Sequence, residues 1–117
     1  MKTACVYSTT AYSIASVIPA QNIQEHWVRV QADFLAPHKE WDVWRMHQYI
    51  LEVRSGESVI KSRFVRVDRM LDDGKTHTIF FDCKLPEEPF TELRIFCWNA
   101  GSDKPLYIDN LHVFSFD

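Results

Sequence analysis

Arg94, Phe96 and Trp98 occupy alternate positions of one apolar run, residues 92–98, and Gln48, Glu52 and Arg54 occupy even positions of another, residues 43–54. In an extended chain, residues two apart share a face. Each trio therefore projects to one side, while Leu93, Ile95 and Cys97, and Tyr49, Leu51 and Val53, project to the other. Phe96 and Trp98 offer flat apolar surfaces for the C–H side of a pyranose ring. Gln48, Glu52, Arg54 and Arg94 offer directed hydrogen bonds to its hydroxyls. Aromatic walls with a few placed polar groups are the usual make-up of a small-ligand site. Arg and Glu on a strand face also fit plain solvation, and the pattern alone leaves both readings open. Trp44 shares the parity of Gln48 and is a candidate both for ligand contact and for the core. Trp41, three residues earlier, cannot share its face.

Other chemistry is poorly supplied. The five histidines are scattered with no HxH or HExxH spacing, and no GxSxG, Walker or GxGxxG motif occurs. Glu87-Glu88 lies between two prolines and reads as a solvated turn rather than an acid/base pair. The chain is expected not to be an enzyme. Cys5, Cys83 and Cys97 form no CxxC pair. Cys83 and Cys97 fall at apolar strand positions and read as small buried hydrophobes, with one disulfide as the alternative. Asp109-Asn110 interrupts the final apolar run, where an acid needs either a hydrogen-bond donor or a cation.

The elements that must position these residues are strands. Residues 27–34 alternate cleanly: Val28, Val30, Ala32 and Phe34 face one way, Trp27, Arg29, Gln31 and Asp33 the other. Further strands are expected at 4–8, 13–18, 43–54, 58–68, 77–83, 92–98 and 105–116, separated by polar, Gly or Pro-containing turns. In the fifth, Lys61 and Arg63 share parity with Val59, Val65 and Val67, a conflict that a bulge would resolve. Eight strands without a convincing helix predict an all-β, two-sheet antiparallel β-sandwich of jelly-roll type. Jelly-roll connectivity would order one sheet as strands one, eight, three, six and the other as two, seven, four, five.

The 117 residues suffice for a single β-sandwich domain spanning 1–117. A net charge of −3 offers no general attraction to nucleic acid. No apolar run reaches the ~20 residues of a membrane-spanning helix, so membrane insertion of this segment is not expected. The first twenty residues are broken by Ser, Thr and Tyr and read as strands rather than as a signal peptide.

Three segments, Trp27-Val-Arg-Val-Gln-Ala, Gly74-Lys-Thr-His-Thr-Ile-Phe-Phe-Asp and Leu106-Tyr-Ile-Asp-Asn-Leu-His-Val, resemble those of galactose-binding-like jelly rolls, particularly bacterial carbohydrate-binding modules. The likeness runs from about Tyr12 onward. It implies a non-catalytic module that holds an oligo- or polysaccharide on the concave face of the second sheet. It also implies a C-terminal position in a larger protein that works outside the cell, at its surface or in the periplasm. In such modules a last-strand acid, here Asp109, often joins an opening-strand Glu around a structural calcium. No acid precedes Tyr12, and one carboxylate does not make a calcium site, so a backbone clasp is the preferred role for Asp109. The alternative function is a structural or protein-interaction sandwich. The same Trp and Arg residues would then meet a neighbouring domain of the parent protein or pack in a homodimer.

Overall fold

Period-two alternation organises the chain, and the computed structural model shows it strand by strand for residues 5–6, 16–36, 45–71, 73–98 and 106–117. The strands are β1 (Cys5–Val6), β2 (Ser16–Pro19), β3 (Trp27–Leu35), β4 (Gln48–Ser55), β5 (Ser58–Arg66), β6 (His77–Lys84), β7 (Glu92–Trp98) and β8 (Leu106–Phe116). Among the described residues the helical content is two one-turn 3-10 segments, Ala20–Asn22 and Asp68–Leu71. Every pairing is antiparallel, in two four-stranded sheets ordered β1-β8-β3-β6 and β2-β7-β4-β5. The chain is a jelly-roll β-sandwich with the strand order expected from sequence.

The inward half of each alternation builds the core. Val28, Val30, Ala32 and Phe34 of β3 meet Leu51 and Val53 of β4 and Leu93 and Ile95 of β7, all with essentially no exposure. Removing each large side chain from water contributes about 1.5–3 kcal/mol. Tyr49 ties the sheets together, its ring edge-on to Phe34 at 4.9 Å and to Phe81 at 5.8 Å. Cys83 and Cys97 are buried, as their apolar positions predict, and no disulfide joins the two.

β4 starts at Gln48 and β5 ends at Arg66, where strands from 43 and to 68 were expected; residues 43 and 44 of that expectation lie outside the described residues. The reason is a polar clamp. The Asp68 carboxylate accepts the His47 backbone N–H at 2.6 Å and His47 Nδ1–H at 2.9 Å, and Val67 N–H donates to the His47 carbonyl. The Asp68 side chain takes the His47 N–H that would otherwise continue the ladder, and one backbone bond of the next pair remains. Gly56, with φ at 61°, opens the two-residue turn between β4 and β5, as a Gly-first hairpin turn requires.

The parity conflict of β5 has two sources. A bulge leaves Val53 opposite Lys61 but Arg54 opposite Val59, so Ile60 is the extra residue and packs against the core while Val59 turns outward. Lys61 and Arg63 stay on the core side, yet β5 is an edge strand and their heads reach across the open flank of the sandwich. Lys61 Nζ donates to the Lys84 carbonyl at 2.6 Å, and the Arg63 guanidinium lies 5.7 Å from the centre of the Phe81 ring. Inward-pointing charges of this kind also discourage edge-to-edge pairing with another chain.

Candidate functional site

Cross-strand register decides which outward side chains become neighbours. On the outer face of the second sheet, Trp98 lies opposite Gln48, which lies opposite Arg66. The next row is Phe96, Ile50 and Phe64, followed by Val17, Arg94, Glu52 and Ser62, then Pro19, Glu92, Arg54 and Val59. Gln48, Glu52, Arg54, Arg94, Phe96 and Trp98 thus share one contiguous face, each of them half-buried. Trp44 and Trp41 lie outside the described residues.

The face divides into an aromatic half and a charged half. Arg94 Nε donates to Glu92 at 2.6 Å along β7. Arg54 Nε sits 3.1 Å from Glu52 along β4, but there it is an ion pair without hydrogen-bond alignment, and this Nε is buried without an acceptor. Across the strands Glu52 faces Arg94 and Arg54 faces Glu92, so charge alternates in both directions. The lattice presents donors and acceptors with little net charge. Beside it Phe96, Ile50, Phe64 and Trp98 supply apolar surface.

The outer face of the first sheet is richer in exposed rings. Phe80 (52%), Phe114 (47%), Phe116 (36%) and Trp27 (36%) are open to solvent. Trp27 stacks on Phe116 at 6.1 Å and His112 on Phe114 at 6.0 Å. Among them Arg29 makes a two-pronged contact with Asp82, Nε to Oδ1 at 2.8 Å and Nη2 to Oδ2 at 3.0 Å, and lies 4.2 Å over the Phe80 ring. That contact holds the Asp82 carboxyl below its usual pKa and raises that of the Arg29 guanidinium. An open trough of about 250 Å³ is lined by Arg29, Gln31, Phe114 and Phe116. Sequence parity had placed Arg29 and Gln31 outward. The expected sheet order set β8 beside β3, but nothing in the sequence showed the register that brings Phe114 and Phe116 to them.

Asp109 lies on this same face, at an irregularity in β8. From Gln31 to Asp33 the partner strand advances from His112 to Asp109, one residue more than β3, and Asn110 takes a φ of 54°. Asp109 Oδ1 accepts the Asn110 backbone N–H at 2.8 Å, and Asn110 Nδ2 donates to Asp33 at 2.8 Å. Asp33 also accepts from the Thr78 hydroxyl, and these two bonds keep its carboxyl below the usual range. Asn is among the few non-glycine residues that enter the left-handed region. At the bulge the acid predicted in the last strand accepts the backbone N–H of the next residue. Among the described residues, no three His, Cys, Asp or Glu side chains are grouped as metal ligands.

Among the described residues, His47 and Asp68 are the buried polar side chains, with His47 Nε2 lacking a partner. The pair anchors the start of β4, next to Gln48. No helix among the described residues is long and apolar enough to cross a membrane. No known protein-family model matches the chain, and no curated protein is significantly similar to it.

Proposed function

We propose that the chain is a non-catalytic carbohydrate-binding module that holds an oligo- or polysaccharide on the outer face of its second sheet. The observation that carries this reading is the register of β4 and β7. It sets Trp98 beside Gln48 and Phe96 beside Ile50, directly adjoining the Glu52, Arg94, Arg54 and Glu92 lattice. Flat apolar surface next to neutralised, immobilised polar groups suits a ligand with one C–H face and a rim of hydroxyls. Stacking on Trp98 and Phe96 would supply affinity, and Gln48 with the charged lattice would supply orientation.

A glycan array identifies the sugar, and titration calorimetry with Trp98→Ala and Arg94→Ala tests the face. Both variants are expected to weaken binding about tenfold or more while leaving the melting temperature near that of the parent. An array without hits, together with a stable dimer in sedimentation, refutes the reading. That outcome would support the second one, assembly with another domain or copy, which the exposed Phe80, Phe114, Phe116 and Trp27 of the opposite sheet favour.

A further inference from the structure

We infer that the trough between β3 and β8 is a second saccharide subsite, formed by Arg29, Gln31, Phe114 and Phe116 on the sheet opposite the proposed glycan face. The trough exists because Arg29 leans away from β8. Register sets Arg29 between Phe114 on one side and Asp82 on the other. The guanidinium is drawn to Asp82 by two hydrogen bonds and lies over Phe80 at 4.2 Å, while its distance to the Phe116 ring is 6.0 Å. The space vacated on the β8 side is the trough of about 250 Å³.

Its lining specifies the ligand. An arginine has five N–H donors; two go to Asp82, which leaves three. These are held at a fixed place by the bidentate contact and the ring beneath. Because Asp82 neutralises the charge, the site favours a neutral hydroxyl-rich group over an anion. Gln31 adds a donor and an acceptor from the same strand. Phe114 and Phe116, in turn backed by His112 and Trp27, form a rigid apolar wall. The volume falls below the range typical of drug-sized ligands, about 300–1,000 Å³, and matches a single ring. An apolar protein side chain would fill the trough but would strand the Arg29 and Gln31 donors. A neutral pyranose satisfies both walls.

The ligand class rests on the glycan-binding reading; the location rests on the trough alone. The test is a ¹⁵N NMR titration of the full chain with D-glucose, D-galactose and D-mannose, and with D-glucuronate as the anionic counterpart. Expected are saturable shifts at Arg29, Gln31, Phe114 and Phe116, weakened roughly tenfold by Phe114→Ala, unaffected by Trp98→Ala, and no stronger with glucuronate. Phe114 is half exposed, so its removal leaves the core intact, and Phe114→Leu separates loss of the flat ring from loss of bulk. Shifts confined to Trp98, Phe96 and Gln48 would overturn the second subsite and leave the proposed face standing. Shifts at neither face would overturn both. Shifts at the trough that follow protein concentration without sugar, with a dimer in sedimentation, would put a second copy there and overturn the inference.

Discussion

Replacing Asp68 with alanine removes the acceptor for two buried donors at once. The carboxylate is 3% exposed and takes hydrogen bonds from the His47 backbone N–H and from His47 Nδ1–H, while His47 itself is fully buried. Water cannot reach either group to replace the bond. Leaving one buried donor unsatisfied costs about 1–3 kcal/mol, so the pair together should cost about 2–6 kcal/mol. A domain of this size has about 5–15 kcal/mol in total. The loss should therefore appear as a large drop in the urea midpoint with unchanged slope, and as a melting temperature lower by roughly 10 °C or more. Tryptophan fluorescence, near-UV circular dichroism and calorimetry all read it. Asp68→Asn keeps one acceptor oxygen and should lose less. If Asp68→Ala changes stability by under about 0.5 kcal/mol, the range of an ordinary surface substitution, the clamp does not hold the start of β4.

Acid should destabilise the fold through particular carboxylates. Asp33, Asp73, Asp82 and Asp117 are all held below the usual pKa by hydrogen bonds, from Asn110 and Thr78, Lys75 and His77, Arg29, and His26 respectively. A lowered folded-state pKa contributes stability that is complete above the unfolded value of about 3.9 and is lost as pH falls through the folded value. Asp82→Asn should flatten that acid limb in urea melts, and an unchanged limb would count against the Arg29 contact. Asn110→Val forces a β-branched side chain to a φ of 54° and removes the bond to Asp33, and should lower stability by about 1–3 kcal/mol; Asn110→Gly should recover much of the backbone part. Burial raises the Cys83 thiol pKa and pushes that of Cys97 up to about 12. Alkylation mapped by mass spectrometry should spare both in the native protein and label both in denaturant, and native labelling of Cys97 would contradict its place in the core.

Much of the architecture was legible because alternation is a local property. A side chain two residues along points the same way whatever the neighbouring strand. The inward faces of β3, β4 and β7 and the outward set Gln48, Glu52, Arg54, Arg94, Phe96 and Trp98 could thus be read from spacing. Turn residues bounded the strands, and the count of eight led to the jelly-roll order. Strand ends were less legible. The Asp68 clamp on His47 joins residues 21 apart, and no local pattern announces it.

The chain's own pattern therefore determined which side of each strand is wet and which is dry. Tertiary pairing decided which wet residues meet. Lys61 and Arg63 carried core parity but escape the core because β5 is an edge strand. Arg29 had an outward parity, yet the trough beside it depends on β6 supplying Asp82 and Phe80 and on β8 supplying Phe114 and Phe116. Parity is set within a few bonds, whereas register between strands some 50 to 85 residues apart is set by the packing of the whole sandwich.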